Sequence, residues 1–276
     1  MSNGNVTAPT QFVQTQKEKY AYRRFGKKSK YPLLCLQHFT GTLDNWDPAV
    51  TDPLSADHDV ILFDNAGVGA STGKTPSTVR EMADGAYAFC RTLGLTTIHV
   101  MGFSLGGMIA QQLALDHPDL VDHLLLLGTG PRGGEGMTFT DLSIDELGDP
   151  AALLMKSFFT PSEPSQDAAH AYIERLTRRT ADRDTSVSAR AAVAELAAIR
   201  EWGVIPQRDR FAMLGQIRHP TLVVHGNKDV VVAPINAFLL AEHIPNAQLI
   251  MYPDASHGAA SQYKDVFLQH ARIFLE

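Results

Sequence analysis

The chain has 276 residues, 44% of them hydrophobic and 20% charged, with a formal net charge of −6. That length is enough to bury one large core, as a single domain with an insertion or as two domains. The mild acidity comes with no basic cluster suited to a phosphate backbone, which argues against a nucleic-acid partner. No run approaches the roughly 18 apolar residues of a membrane span.

Residues 1–10 have neither the basic nor the apolar region of a secretory signal. They read as a short disordered tail, extended to residues 1–18 in the domain division. Cys35 and Cys90, the only cysteines, each sit in an apolar segment, the usual setting of buried free thiols. Two cysteines make no disulfide framework, so a reducing, cytoplasmic compartment is expected.

Apolar runs predict strands at 19–24, 32–39, 59–64, 98–103, 123–127, 221–225 and 248–252. From residue 32 onward they are nearly continuous in Leu, Val and Ile, which suits a parallel sheet buried on both faces. Helical patterns fall between them. One opens at Pro76, with Thr78 and Glu81 spaced as a capping box, and stops at Gly94. Another follows Gly107, a third follows Pro234, and a last runs over 262–274 with Val266, Phe267, Ala271 and Phe274 on one face. Strands alternating with helices predict a doubly wound α/β sheet. The alternation breaks over 132–218, where helix-prone stretches at 151–159, 166–179 and 188–201 read as a helical lid. The core domain is then 19–131 with 219–276.

Gly102-Phe103-Ser104-Leu105-Gly106 lies between a predicted strand and a predicted helix, the context that the G-x-S-x-G pattern requires of a nucleophile. Small neighbours let strand and helix pass closely while the serine takes a sharp, strained turn. The helix that follows points its first amides at the place where negative charge develops. An ordinary glycine-rich turn is the plainer reading, and the rest of the chain argues against it. Asp229 follows the strand at 221–225, and His257 follows the strand at 248–252. The order Ser, Asp, His fits, and residues beyond the carboxyl ends of parallel strands gather on one rim. Asp254 is the rival acid, but at three residues from His257 on the same loop it reads as a turn former. His225 and His38 also fall near this rim. Two backbone amides should face the oxyanion: that of Leu105, and that of Phe39 in the loop after the strand at 32–39.

From about Tyr20 to Phe274 the chain resembles the α/β-hydrolase superfamily, on three motifs. Gln37-His38-Phe39-Thr40-Gly41 is similar to its His-Gly-Phe-x-Gly loop, with Gln-His replacing His-Gly. Asp64-Asn65-Ala66-Gly67-Val68-Gly69-Ala70-Ser71 looks like its Asp-x-x-Gly-x-Gly-x-Ser loop, with Asn65 where Arg is common. The stretches around Ser104 and Asp229 are similar to esterases, enol-lactone hydrolases, carbon–carbon bond hydrolases and cofactor-free haloperoxidase-like proteins. Serine at 104 argues against haloalkane dehalogenases and epoxide hydrolases, which use aspartate there.

The resulting expectation is a serine hydrolase. Ser104 attacks an acyl carbonyl, His257 is general base and Asp229 orients it. The substrate is a small-to-medium, largely apolar ester, lactone or related acyl compound, with a pocket drawn from His38, Met155, Phe158 and Trp202. Carbon–carbon hydrolysis and perhydrolysis use the same triad and remain alternatives. So does a ligand-binding hydrolase fold with little turnover. Arg132 could meet a substrate carboxylate, though a solvated loop arginine is the plainer reading. A dinucleotide enzyme is argued against, because Gly67-Val68-Gly69 lacks the third glycine at position 72. No metal-ligand cluster with sensible spacing is evident, and no cofactor is implied. Homo-oligomerisation is left open.

Overall fold

Leu34, Leu36, Ile61 and Phe63 enter one hydrophobic cluster, while their chain neighbours Leu33, Cys35, Val60 and Leu62 enter another. This two-sided burial is what continuous apolar runs demand of a central sheet. The computed structural model describes residues 4–137 and 150–276. Its strands are β1 (Gln11–Gln14), β2 (Lys19–Gly26), β3 (Leu33–Leu36), β4 (Asp59–Phe63), β5 (Ile98–Phe103), β6 (Val121–Leu127), β7 (Thr221–Gly226) and β8 (Ala247–Tyr252). They form a single sheet in the order β1-β2-β4-β3-β5-β6-β7-β8. The pairs β1–β2 and β2–β4 are antiparallel, and every other pair is parallel. The mostly parallel, doubly wound α/β sheet expected from the sequence is therefore the fold.

The helices are α1 (Pro48–Ser55), α2 (Val79–Thr92), α3 (Leu105–Asp116), α4 (Pro150–Phe158), α5 (Glu163–Leu176), α6 (Ala189–Gly203), α7 (Ile235–His243), α8 (Ala259–Gln262) and α9 (Lys264–Leu275). Thr78 caps α2 by accepting from the Glu81 amide, and Gly94 ends it at φ +73°. The helix expected over 262–274 is α9, and the short α8 precedes it across Tyr263. No described helix is long and apolar enough to cross a membrane.

The disordered N-terminal tail is corrected over residues 4–18, residues 1–3 lying outside the described residues. Residues 11–14 add an edge strand to β2, and Ala8 is fully buried. The Asn5 side chain donates to the Trp46 carbonyl and the Thr51 hydroxyl. Arg179 donates to the carbonyls of Asn5, Val6 and Ala8. A polar composition says disorder only when nothing distant satisfies the backbone, and here a remote arginine does.

Helices α4, α5 and α6 lie between β6 and β7 in the chain. Residues 138–149 of the expected lid lie outside the described residues. Buried polar contacts tie this insertion down. Arg175 of α5 forks onto Asp47, with Nε–Oδ1 at 2.7 Å and Nη2–Oδ2 at 2.8 Å. Asp184, between α5 and α6, accepts from the Leu43 amide, and its own amide donates to Asp44. Asp44 in turn pairs with the fully buried Arg23 at 2.6 Å.

Removing one member of such a pair strands a buried charge. Asp47→Ala is expected to lower unfolding free energy by about 3–5 kcal/mol in urea melts. Replacing both partners with apolar residues should cost less. Equal losses for the single and double substitutions would show that the ion pair is not what matters.

Candidate active site

Strand β5 ends at Phe103 and α3 begins at Leu105, so Ser104 alone makes the turn. It takes φ +54° and ψ −115°, a region that side chains other than glycine rarely enter. The flanking glycines permit this. A Cβ on Gly102 would meet the Gly106 carbonyl oxygen at 2.3 Å, and a Cβ on Gly106 would meet the Leu36 oxygen at 1.9 Å. Hydrogen bonds then lock the turn. The Ser104 amide donates to the Leu127 carbonyl, and the Ser104 carbonyl accepts from the Gly107 amide and the Thr129 hydroxyl.

Asp229 sits just beyond β7 and is buried. Its Oδ1 accepts from the amides of Val231 and Val232. Its Oδ2 lies 2.8 Å from His257 Nδ1 and 3.1 Å from His225 Nε2. Burial works to raise the Asp229 pKa, but the His257 charge and hydrogen bonds from His225 and His257 outweigh it. The carboxyl is held well below the usual carboxylate range. An ionised carboxylate only accepts, so His257 Nδ1 carries the proton that points at it, which leaves Nε2 as the basic nitrogen. The Asp254 carboxylate faces elsewhere, accepting from Thr160 and Ser162 at 2.8 and 2.5 Å.

Ser104 and His257 share the wall of a cavity of about 240 Å³. Phe39, Met108, Leu153, Leu154, Phe158, Leu196, Ile199, Val230 and Val231 make most of its surface, and His38, Thr40 and Ser157 add polar groups. No Lys, Arg, Asp or Glu lines it among the described residues. Of the four pocket residues expected from sequence, His38 and Phe158 line this cavity. Met155 packs instead against the Phe158–Tyr172 cluster. Trp202 is inside the main core, where its indole N–H donates to the Gly130 carbonyl. Arg132 pairs with Glu201 and lies over the Trp202 ring, away from the cavity wall.

The amides of Phe39 and Leu105 have no protein acceptor among the described residues. Leu105 is the first residue of α3, where an amide lacks an intrahelical partner. The Gln-His departure in the loop puts no positive φ on His38. The positive φ, +58°, falls on Thr40. That strained residue is pinned by the insertion: its amide donates to Glu195 Oε2 of α6 at 2.8 Å. His38 Nδ1 donates to the Phe39 carbonyl at 2.7 Å, so Nε2 is a lone pair, and it is buried without a partner. Burial, reinforced by the nearby His257 charge, pulls the His38 pKa down to about 4.

Sequence reasoning missed Glu195 and the contact of His225 with Asp229. The signal for Glu195 was an acid in the otherwise apolar face Ala191-Ala192-Leu196-Ile199 of a helix. His225 falls near the rim in the sequence, but nothing there signals its contact with Asp229, because it reads as the last residue of a buried strand.

A family model described as alpha/beta hydrolase fold matches residues 31–261. The chain belongs to the alpha/beta hydrolase family. A solved structure of an alpha/beta hydrolase fold protein from Chitinophaga pinensis is 40% identical, with a TM-score of 0.94 over 99% of both chains. A Mycobacterium tuberculosis protein provisionally named non-heme bromoperoxidase BpoC is 28% identical over 82% of this chain and 86% of its own. The pimeloyl-[acyl-carrier protein] methyl ester esterase of Chromobacterium violaceum is 29% identical over 82% of this chain and 87% of its own.

Within this hydrolase, Glu195 makes a pH-dependent contribution to stability. Burial pushes its carboxyl up to about 8 from an unfolded value of 4.5, against the lowering pull of the Thr40 amide. The folded state therefore holds a proton that the unfolded state releases. Stability from this group is full below about pH 4.5 and declines as pH rises through about 8. Glu195→Gln keeps an acceptor for Thr40 and removes the titration. Thermal melts from pH 5 to 9 should show a flatter profile for the variant, and an unchanged slope would refute the assignment.

Proposed function

We propose that this chain is a serine hydrolase that cleaves an ester, lactone or related acyl bond through an acyl-enzyme on Ser104. The observation that carries this reading is the buried 2.8 Å contact between Asp229 and His257 Nδ1, with the His257 ring and a strained serine on one apolar wall. His257 Nε2 takes the Ser104 proton as Oγ attacks the acyl carbon. Negative charge on the carbonyl oxygen meets the amides of Phe39 and Leu105, each such donor being worth about 2.7–4 kcal/mol. The tetrahedral adduct collapses, and the leaving oxygen takes the proton from His257. Water then attacks the acyl-enzyme, with His257 again accepting its proton, and the second adduct collapses as His257 returns that proton to Ser104 Oγ and the acid is released.

Helices α4 and α6 act as a cap in this reading, since Leu153, Leu154, Leu196 and Ile199 face the cavity. A volume of about 240 Å³ lies just below the roughly 300–1,000 Å³ typical of ligand pockets, which favours a small-to-medium acyl group. The uncharged lining favours an apolar one. The free Nε2 of His38 is an acceptor for a donor on the substrate or on the attacking water. The Mycobacterium relative's name is that of a non-heme bromoperoxidase, and perhydrolysis, in which hydrogen peroxide replaces water as the attacker of the same acyl-enzyme, is the second reading.

The test is a screen of nitrophenyl esters of graded chain length, lactones, vinylogous diketones and peroxide-dependent bromination, run on wild type and Ser104→Ala. Hydrolysis should peak at short-to-medium acyl chains and vanish in the variant, along with fluorophosphonate labelling. Full labelling of Ser104→Ala would overturn the assignment of the nucleophile. A burst of product without turnover on all substrates would favour a binding protein. His38→Phe keeps the ring packing and removes the acceptor. It should lower kcat/KM by about 2- to 10-fold while labelling of Ser104 persists, the range expected for one modest hydrogen bond.

A further inference from the structure

Strand β5 begins at Ile98 and β6 at Val121, at the opposite end of the sheet from Ser104. Five residues of strand, roughly 16 Å, separate His99 from Ser104. The parallel pairing is irregular at this lower end: Ile98 pairs with Val121, but Val100 pairs with Leu124. Asp122 and His123 together therefore oppose the single residue His99. A bulge of this kind re-aims side chains, and here it brings two adjacent residues, which a regular strand would send to opposite faces, toward the same neighbour.

The three side chains converge. His99 Nδ1 lies 3.4 Å from Asp122 Oδ2, and His123 Nδ1 lies 2.5 Å from the same oxygen. One ligand-type atom from each residue falls within 4.8 Å of the others. His99 is about 95% buried, at 5% exposure, yet its Nδ1 makes no hydrogen bond. The bland account is a packed His–Asp–His cluster. It explains the His123–Asp122 contact, but it leaves a buried nitrogen aimed at a carboxylate without bonding to it, the kind of exception that calls for a missing water or ion.

We propose that His99, Asp122 and His123 bind one divalent transition-metal ion of the zinc class, with water as the fourth ligand. Two imidazoles and a carboxylate are a donor set this class of ion takes. Metal–ligand bonds of about 2.0–2.1 Å in a tetrahedron put ligand atoms roughly 3.3 Å apart. The His99–Asp122 separation of 3.4 Å already matches that spacing. The His123–Asp122 contact must open, and both residues are partly exposed, which gives them room to turn and gives the ion an entry path. Binding replaces any proton on the ligating nitrogens. It ties the lower ends of β5 and β6 together, close to Phe274 of α9, whose ring packs edge-on against His123. Sequence spacing hides the site, because His99 and the Asp122-His123 pair sit on different strands and meet only through the bulge.

The test uses chelator-treated full-length protein titrated with Co²⁺ and with Zn²⁺. Wild type should take up one equivalent per chain, with a visible Co²⁺ band of tetrahedral intensity that Zn²⁺ displaces. His99→Ala and His123→Ala should each weaken uptake by about 100-fold or more, since even outer-shell partners are worth 10- to 100-fold. His123 is partly exposed, so His123→Ala decides the matter if the buried His99 variant does not fold. In wild type, Co²⁺ should also shift the imidazole proton signals of His99 and His123 ahead of those of His38 and His257. Absence of stoichiometric uptake, or uptake that survives both substitutions, would overturn the proposal.

Discussion

The backbone at Ser104 adopts a conformation that costs roughly 1–3 kcal/mol on its own, and it persists only because its surroundings leave no alternative. The carbonyl oxygens of Leu36 and Gly106 sit where any side chain on Gly106 or Gly102 would have to be. The close crossing of β5, β3 and α3 thus sets the angle of the turn, and the turn sets which side chain reaches the rim. An alanine at either glycine would push the helix off the sheet before it altered any polar contact. The same crossing starts α3 directly after Ser104, which lines the cavity, so the position of its first amides is a consequence of packing.

Around that fixed point the polar groups fall into a hierarchy of burial. Asp229 is satisfied by four donors: the amides of Val231 and Val232, and the nitrogens of His225 and His257. A carboxylate so fully engaged cannot swing, and the ring hydrogen-bonded to it is held in one tautomer. His225 has a second obligation, since its Nε2 also lies 2.9 Å from the Val232 carbonyl. It therefore braces the turn that carries Asp229 as well as the carboxylate itself. Asp254, with hydroxyl partners at the start of α5, does separate work by fastening the histidine loop to the insertion.

Much of this was legible in the sequence because it depends on local order. Strand runs, the cap at Thr78, the Gly-x-Ser-x-Gly turn and the chain order of Ser104, Asp229 and His257 need only periodicity and strand-end logic. What was not legible depends on partners far away in the chain. The N-terminal strand is polar and short, and it exists because β2 offers an edge and Arg179 collects the carbonyls before it. Helix α1 carries Pro53 in its interior, which interrupts the helical pattern, yet Asp47 caps it firmly enough to fold. Trp202 looked like pocket lining because an aromatic in a lid helix suits that role. Its indole N–H needed a buried acceptor, and Gly130 supplied one on the core side.

The insertion also holds both halves of the site. On one side Glu195 fixes the amide next to Phe39. On the other, the Ser157 carbonyl at the end of α4 accepts from the Ser256 hydroxyl and from the His257 amide, and the Phe158 carbonyl accepts from the Gly258 amide. Among the described residues, the loop of Phe39 and Thr40 and the loop of His257 also meet at the sheet, where the Phe103 ring packs against both His38 and His257. A shift of α4 relative to α6 would therefore change the distance between His257 and the loop of Phe39 and Thr40. Because Leu153, Leu154, Leu196 and Ile199 lie on these same helices and face the cavity, a ligand that packs against them acts on that distance. In the proposed reaction, contacts made far from the reacting carbon then contribute to the chemical step as well as to binding, which is the general way remote binding energy is converted into rate.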